Sequence, residues 1–227
     1  MIGTIVLAAG SSRRYGAQSK MLARLHGQAV IEHSLDCLLE QSVGPIVVVT
    51  GSKRRRVERL IRSSRYKRRR VRLVNNPAYR SGMASSLRCG LAALPQACHG
   101  ALICLGDMPD MEPRLVLRLR DAWHAGLDYV RPVSQRLPGH PVLVSRQLFP
   151  AMAALEGDGG AKAVLDGVPR DRYRLVAARD TSLRDIDTPA ALRRAANARR
   201  PRTGRRSTTN KTQTRDQRYT ALRSFMV

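Results

Sequence analysis

Short runs of Val, Ile and Leu alternate along this chain with longer segments in which apolar residues recur at helical spacing. A short apolar run bounded by Gly, Pro or Asp predicts a buried strand, and an apolar residue at every third or fourth position predicts a helix packed by one face. Repeated alternation of the two is typical of βαβ units, in which helices cover a mainly parallel sheet. We therefore predict an α/β fold.

The predicted elements follow one another through the first 198 residues. Strands are predicted, in chain order, at residues 2–8, 46–50, 71–74, 101–105, 128–132, 142–144, 173–176 and 183–186. Helices are predicted at residues 30–40, 57–61, 85–94, 112–124, 147–155 and 189–198, the last with Thr188 as its N-cap. Residues 137–141 contain two prolines and a glycine, so we expect no regular structure there.

Length and composition predict one domain followed by a tail. The chain has 227 residues, and a typical domain has roughly 100 to 200. Apolar residues make up 43% of the chain and aromatic residues only 4%, so the core must be aliphatic. From residue 199 onward the sequence turns to Arg, Thr, Ser, Asn and Gln, which is a composition typical of disorder. We predict a domain at residues 1–198 and a basic, disordered tail at residues 199–227.

The chain is strongly basic, with 41 Lys and Arg against 17 Asp and Glu and a net charge of +24. Much of the excess lies in residues 53–70 and in the tail. Such runs attract polyanions, and nucleic acid is one candidate partner. However, no helix-turn-helix, zinc-finger or aromatic-interleaved pattern accompanies them. We therefore favour an arginine-rich solvated face over a nucleic-acid interface.

The cysteines and the apolar runs predict the setting of the protein. The four cysteines form no CxxC pair and have no histidine at metal-ligand spacing, so we expect reduced thiols. No apolar run approaches the ~18 residues needed to span a bilayer, and no basic region precedes the first strand as in a signal peptide. The expected location is cytoplasmic, without a membrane partner.

The loop after the first predicted strand is the first candidate for chemistry. Small residues at Ala8, Ala9 and Gly10 let the backbone approach a ligand, and successive backbone N–H groups can form a concave anion site. Arg14 and Lys20 add positive charge nearby. The glycine spacing fits neither a Walker A loop nor a dinucleotide-binding fingerprint. From these residues alone, a phosphate cradle and a plain strand-to-loop turn both remain open.

Carboxylates follow two later predicted strands. Asp107 lies in the turn 106–109 after a central strand, at the edge where open α/β sheets bind ligands. A carboxylate in that position can hold Mg²⁺ against phosphate oxygens. The segment 185–189 offers a second carboxylate after another predicted strand. From local sequence alone, an Asp in such a turn is more often a turn residue than a metal ligand, and a helix-capping role is a strong explanation of the second segment.

Six short segments occur in the order of a known family. They are residues 7–20, residues 76–77 (Asn-Pro) with 81–87 (Ser-Gly-Met-Ala-Ser-Ser-Leu), residues 106–109 (Gly-Asp-Met-Pro), residues 138–141 (Pro-Gly-His-Pro), residues 157–161 (Gly-Asp-Gly-Gly-Ala) and residues 186–189 (Ile-Asp-Thr-Pro). In this order the chain resembles the molybdenum cofactor cytidylyltransferases, within the broader MobA-like nucleotidyltransferases, over about residues 1–198. Each segment is weakly specific, but six in order are a specific signal. The resemblance implies a three-layer α/β/α, Rossmann-like nucleotidyltransferase fold.

The resemblance also implies which residues form the site. Arg14, Lys20 and Asp107 would be catalytic, and Asp107 with Asp187 would hold Mg²⁺. The implied nucleotide- and substrate-binding residues are Leu7, Ala8, Ala9, Gly10, Ser81, Gly82, Ser85, Ser86 and His140. Residues 81–86 would border the nucleobase and ribose, and the segments 138–141 and 157–161 would line the side where the second substrate enters. His140 would pack or contact substrate, because an anionic phosphate nucleophile needs no general base.

The implied reaction is attack by the terminal phosphate of molybdopterin on the α-phosphorus of CTP, with release of pyrophosphate. Ala9 matches the cytidylyl branch, whereas the guanylyl branch typically has glycine there, and a methyl group would crowd a purine more than a pyrimidine. The alternatives are a guanylyl or other small-molecule nucleotidyltransferase or an oxidoreductase of the same fold, with a basic nucleic-acid-binding module least favoured. The basic runs could recruit an acidic recipient molybdoenzyme or chaperone, although a solvated face explains them equally well.

Overall fold

The computed structural model describes residues 1–16, 19–41, 44–63, 66, 71–135 and 137–197. Its strands are β1 (Ile2–Ala8), β2 (Arg24–Leu25), β3 (Gln28–Ala29), β4 (Ile46–Thr50), β5 (Val71–Asn75), β6 (Gly100–Leu105), β7 (Tyr129–Ser134), β8 (Leu137–Pro138), β9 (Val142–Ser145) and β10 (Tyr173–Ala177). Its helices are α1 (Val30–Glu40), α2 (Arg54–Ser63), α3 (Met83–Ala93), α4 (Pro113–Asp121), α5 (Phe149–Ala153), α6 (Lys162–Asp166) and α7 (Pro189–Asn197).

One mixed sheet forms the centre of the fold, in the strand order β10-β7-β9-β6-β1-β4-β5 with β8 paired to β7. β1 pairs in parallel with β4 and β6, β4 pairs in parallel with β5, and β10 with β7. β9 runs antiparallel to both of its neighbours, β6 and β7. The prediction of an α/β fold with a mainly parallel sheet is confirmed.

Helices cover both faces of this sheet. α1, α2 and α4 contribute buried side chains to one apolar cluster, and α3, α5 and α6 contribute to a second. Successive residues of β1 alternate between the clusters, so that Val6 and Ala8 face the first and Leu7 and Ala9 face the second. β4 is buried along its whole length, which explains its continuous run of β-branched residues. The three-layer arrangement is therefore confirmed.

The carboxyl ends of β1, β4 and β6 meet at one edge of the sheet. Leu7 is in register with Val49 on one side and with Leu105 on the other, so the loops after these strands are neighbours. The glycine-containing loop after β1 and the turn that contains Asp107 therefore emerge side by side. This edge is where the strand-end rule for ligand binding predicts the site.

The predicted strand at residues 183–186 is wrong. A 3-10 turn at Asp180–Leu183 is followed by extended chain without a sheet partner among the described strands. The N–H of Ile186 instead donates to the carbonyl oxygen of Asp107 at 2.9 Å, and its side chain packs against Leu25 and Val30. The apolar run at residues 183–186 thus anchors this segment beside the turn after β6.

The other differences lie at element ends. Residues 137–141 were expected to be irregular, but Leu137–Pro138 pairs with β7, and the N–H of Gly139 donates to Pro132 O at 2.9 Å. The predicted helix at 147–155 shortens to α5 after a 3-10 turn at Arg146–Leu148. The N-cap prediction at Thr188 is confirmed, because its Oγ1 accepts a hydrogen bond from the N–H of Ala191 at 3.1 Å.

Several predictions lie outside the described residues, namely the tail, its boundary with the domain, and residues 64–65 and 67–70 of the basic stretch. Among the helices that the structure describes, none is both long and apolar enough to cross a membrane. The four cysteines are free thiols, and Cys37, Cys98 and Cys104 are buried. Burial raises the pKa of Cys37 to about 12, so this thiol stays protonated.

Candidate functional site

A cavity of about 560 Å³ opens at the carboxyl edge of the sheet, at the ends of β1 and β6. Nine residues predicted for the site line this cavity, and they are Leu7, Ala9, Gly10, Arg14, Lys20, Gly82, Ser86, Asp107 and Asp187. Three predicted segments that are distant in the sequence, 7–20, 81–86 and 106–109, therefore meet around one space. The geometry is that of a single ligand site.

Backbone hydrogen bonds hold the loop after β1 against its neighbours. The carbonyl oxygen of Leu7 accepts from the N–H of Gly106, and that of Ala9 accepts from the N–H of Ser52, both at 3.0 Å. A Cβ atom added to Gly10 would meet no atom within 4 Å. Gly10 is therefore not required by packing, and the space beside its backbone is open to a ligand.

Three carboxylates converge beside this loop. Asp107, Asp185 and Asp187 each place one oxygen within 4.8 Å of the others. The hydrogen bond from Ile186 to Asp107 O brings the two segments together. Hard divalent cations prefer such oxygen ligands, so this donor set fits a metal ion of that class.

Burial, together with the charges of Asp187 and Asp107, raises the pKa of Asp185 above its ordinary value. Crowding of like charges in a partly buried site disfavours ionisation. The negative charges of Asp107 and Asp187 thus repel that of Asp185, and a bound cation would reduce this repulsion.

The two basic residues of the predicted site pair with these carboxylates. Lys20 Nζ contacts Asp107 Oδ2 and lies 2.6 Å from Asp187 Oδ1, and Arg14 Nη1 lies 3.3 Å from Asp187 Oδ2. The hydrogen bond from Lys20 lowers the pKa of Asp187. Burial opposes the charged form of Lys20, but its two carboxylate partners outweigh burial and raise the Lys20 pKa. Lys20 and Asp187 are therefore both ionised at neutral pH.

The N-terminus of α3 borders the other side of the cavity. Gly82 has a φ of 111°, and a Cβ atom there would lie 2.2 Å from the backbone of Gly157. Only glycine therefore allows the segments 81–87 and 157–161 to meet. Across the contact, the N–H of Ala84 donates to Gly157 O at 3.1 Å, and the N–H of Met83 donates to Asp158 Oδ1 at 3.2 Å. The loop thus satisfies two free N–H groups of the helix start and places Asp158 in the cavity wall.

Four predicted site residues do not line the cavity, and they are Ala8, Ser81, Ser85 and His140. The Ala8 side chain is buried on the opposite face of the sheet. The Ser85 hydroxyl donates to backbone carbonyls and accepts from Asn76 Nδ2 at 2.8 Å, so it stabilises the turn before α3. His140 Nδ1–H donates to Ile103 O at 3.3 Å, and burial lowers the His140 pKa. These contacts support packing roles for the three side chains.

Sequence reasoning predicted no individual role for several cavity residues, among them Asp158, Asp185, Tyr79 and Arg80. Asp158 lies in the segment 157–161, which was expected to line the side of the second substrate, and Asp185 directly precedes the segment 186–189. Tyr79 and Arg80 have no local signal, because they enter the cavity through the 3-10 turn Tyr79–Ser81.

Residues 4–178 match the MobA-like NTP transferase domain. The chain belongs to this family. The matched range includes the loop after β1, Asp107 and the N-terminus of α3, and it ends before Asp185 and Asp187. As a member of the MobA-like family, the protein is a nucleotidyltransferase by fold and family.

Two curated relatives match most of the chain. Nicotine blue oxidoreductase of Paenarthrobacter nicotinovorans is 28% identical over 194 residues, which cover 81% of this chain and 91% of the relative. Molybdenum cofactor cytidylyltransferase of Escherichia coli K12 is 28% identical over 190 residues, which cover 83% and 92%. Equal identity to two differently named proteins does not select an activity.

A solved structure supports the fold assignment. Rv0371c from Mycobacterium tuberculosis superposes with a TM-score of 0.74 at 26% identity, covering 86% of this chain and 97% of that one. The same protein in complex with manganese superposes with a TM-score of 0.71 at 24% identity, covering 87% and 98%. Both superpositions show that the fold of this chain is shared with that protein.

Proposed function

We propose that this chain transfers the cytidylyl group of CTP to the terminal phosphate of a molybdopterin-type cofactor and releases pyrophosphate, with Mg²⁺ as the metal. The observation that carries this proposal is the meeting of three carboxylates with Lys20 and Arg14 at the mouth of the loop after β1. Similarity to the Escherichia coli molybdenum cofactor cytidylyltransferase supports the choice of substrates.

Charge in the cavity explains why a metal ion should accompany the nucleotide. The lining has four carboxylates, from Asp107, Asp158, Asp185 and Asp187, against three cationic side chains. A triphosphate carries several negative charges and would be repelled by such a lining. A divalent ion held by Asp107, Asp185 and Asp187 would neutralise part of the charge on the phosphates.

Lys20 and Arg14 are the residues suited to the triphosphate. With a cation held by Asp107 and Asp187, both basic side chains would be free to pair with the phosphates instead. Their charges would stabilise the leaving pyrophosphate, where negative charge accumulates in the transition state. The loop after β1 would position the phosphates through its backbone N–H groups. No covalent intermediate is required, because positioning and charge stabilisation carry the reaction.

Ala9 supports CTP as the nucleotide. Its side chain is only 3% exposed and lines the cavity. A Cβ atom on Gly51 would lie 2.9 Å from the Ala9 Cβ, so Ala9 packs closely against that strand end and cannot move away from a base. A rigid methyl group at this wall narrows the space for a purine.

A pyrophosphate-release assay tests the proposal, with Mg²⁺, molybdopterin cofactor and each of CTP, GTP and ATP in separate reactions. We expect release with CTP. Release with GTP alone would replace CTP by GTP as the nucleotide. Absence of release with every triphosphate would overturn nucleotidyl transfer and favour the second candidate, an oxidoreductase of the same fold, which is motivated by the similarity to nicotine blue oxidoreductase.

The basic surface supports an acidic protein partner. α2 exposes five arginines and has Glu58 as its acidic residue. Arg54 and Arg62 pair with Glu58, while Arg56 and Arg59 line a separate crevice of about 410 Å³. We propose that this face contacts the molybdoenzyme or chaperone that receives the product. Unchanged cofactor delivery after Arg56→Ser and Arg59→Ser substitution would contradict this role.

A further inference from the structure

Arg131 lies on the same face of the sheet as three residues that line the cavity. The β7–β9 register pairs Tyr129 with Val144 and Val130 with Leu143, which puts Arg131 beside Val142. Val142 in turn pairs with Ile103 of β6. Directly opposed residues of an antiparallel pair share a face, so Arg131 lies on the Tyr129 and Val142 side. Leu7, Ala9 and Leu105, which line the cavity, are on the same face.

The guanidinium of Arg131 lacks the partners that a half-buried arginine needs. Its Nε is closed off from solvent, and no described residue accepts a hydrogen bond from it. No carboxylate in the described part of the chain forms an ion pair with it. Burial lowers the Arg131 pKa, while Tyr129 and Asp166 oppose this shift without bonding to the guanidinium. A buried N–H group without an acceptor costs folding free energy, because it has lost water without gaining a hydrogen bond.

Other partly buried arginines of the same protein are satisfied. Arg172 makes two bonds of 2.8 Å to Asp128. Arg120, which is also half-buried, donates to Gln41 O at 3.2 Å. The fold therefore provides acceptors for arginines that serve its stability. Arg131 differs from them because its buried Nε has no acceptor among the described residues, and a role in stability does not explain this difference.

His140 connects Arg131 with the carboxylate cluster. Its ring is fixed by the Nδ1–H bond to Ile103 O, in the same strand row as Arg131. The charge of Arg131 lowers the His140 pKa and that of Asp185 raises it, so the ring lies within range of both. Arg131 is thus on the β9 and β7 side of the carboxylates, opposite the α3 side, where Gly82 and Ser86 line the cavity.

We propose that Arg131 forms an oxyanion-binding subsite for the acceptor substrate, beside His140 and across the carboxylate cluster from the nucleotide. The proposal rests on the proposed nucleotidyl transfer, since it assigns Arg131 to the second substrate of that reaction. The ligand class is a phosphate monoester or another molecule with an exposed oxyanion, because a guanidinium presents a planar fork of donors to such groups. Arg131 is a binding residue and forms no covalent bond to the transferred nucleotidyl group.

Binding of inorganic phosphate tests the subsite without turnover. Phosphate is titrated calorimetrically into full-length protein saturated with Mg²⁺ and the α,β-methylene analogue of CTP, so that Lys20 and Arg14 are already engaged. We expect Arg131→Met to weaken phosphate binding about 10- to 100-fold, the range of one charge-assisted hydrogen bond, and Arg131→Lys to fall between. The matched control is Arg118→Met, an exposed arginine of α4 on the opposite face, which should bind as the wild type does.

Stability and kinetics separate this role from a structural one. Because the guanidinium has no partner to lose, Arg131→Met should melt at or above the wild-type temperature. In the pyrophosphate assay it should raise KM for the acceptor and leave KM for CTP unchanged. Equal phosphate affinity in Arg131→Met and wild type, no phosphate binding to the wild type, or a lowered melting temperature would overturn the assignment. If the wild type releases no pyrophosphate, nucleotidyl transfer fails, while the phosphate titration still decides the role of Arg131.

Discussion

Replacing Lys20 by Met should make the stability of this protein depend on a divalent ion. Lys20 and Asp107 have side chains only 14% and 7% exposed, and Lys20 also lies 2.6 Å from the 35% exposed Asp187. Removing one member of a buried pair costs about 3–5 kcal/mol, because the other charge is left without a counterion. Because solvent screens the charge of Asp187, we expect the free energy of unfolding to fall by about 3 kcal/mol. For a domain of this size, that loss lowers Tm by about 6–12 °C.

Thermal melts in EDTA and in saturating Mn²⁺ or Mg²⁺ measure this effect. A divalent ion bound by the carboxylates replaces the lost ammonium charge, so Lys20→Met should regain most of its Tm when the ion is added. Lys162→Met is the matched control, because Lys162 and Asp166 form an exposed pair with side chains 76% and 54% accessible. Its loss should stay under about 1 kcal/mol and be independent of the ion.

Two results would refute this reasoning. One is a Lys20→Met protein that melts with the wild type in EDTA, which would show that the pair contributes nothing. The other is an equal loss with and without the ion, which would show that the carboxylates do not take it up. In the pyrophosphate assay the same variant should lose about 10²- to 10³-fold in kcat, because the charge on the leaving group is no longer stabilised.

The remaining predictions concern other parts of the site. Asp107→Asn should lower pyrophosphate release by about 10²- to 10³-fold, and activity within tenfold of the wild type would contradict its metal role. Asp185→Asn should raise Tm in EDTA by removing like-charge repulsion and weaken Mn²⁺ binding at least about 10-fold by calorimetry; unchanged Mn²⁺ affinity would exclude it as a ligand. Gly82→Ala should cost about 3 kcal/mol in denaturant melts, since its Cβ would overlap the facing backbone, and a loss under about 1 kcal/mol would contradict that contact. Folding lowers the pKa of Asp187 from its ordinary value of 3.8 and raises that of Lys20 from its ordinary value of 10.5. The Lys20–Asp187 pair therefore contributes its full stability between pH 3.8 and pH 10.5. The Tm difference between Lys20→Met and the wild type should therefore shrink in strongly acidic buffer, and a difference that persists there would contradict the ion-pair origin.

Hydrophobic periodicity was sufficient for the elements whose burial is uniform. β1, β4 and α1 begin and end at the predicted residues, because each apolar run or stripe packs against the sheet or a helix along its whole length. The segment 183–186 has an equally apolar pattern, yet no described strand pairs with it. Its Ile186 is buried against Leu25 and Val30 from another part of the chain, and sequence periodicity cannot distinguish burial of this kind from burial in a sheet.

The residues predicted for the candidate site also fall into two groups, those that line the cavity and those that do not. The strand-end rule and the six ordered segments were enough to predict the loop after β1, Asp107 and Asp187, and the structure brings all three to one cavity. Ala8 and His140 were predicted as binding residues from the same segments but do not line that cavity. A segment can carry a family resemblance while neighbouring residues point to opposite faces of a strand, and the direction of each side chain depends on the register of the sheet.

By itself, then, the sequence determined the α/β class, the central strands and the chemical character of the site, because these depend on local spacing and residue type. Only the tertiary structure decided that Lys20 and Arg14 pair with Asp187, that Asp185 joins Asp107, and that Gly82 meets the loop of Asp158. Only the tertiary structure shows, too, that Arg131 Nε is buried without a hydrogen-bond partner among the described residues. Charge pairing and close backbone approach depend on distances between segments far apart in the chain, and those distances exist only after the sheet has assembled.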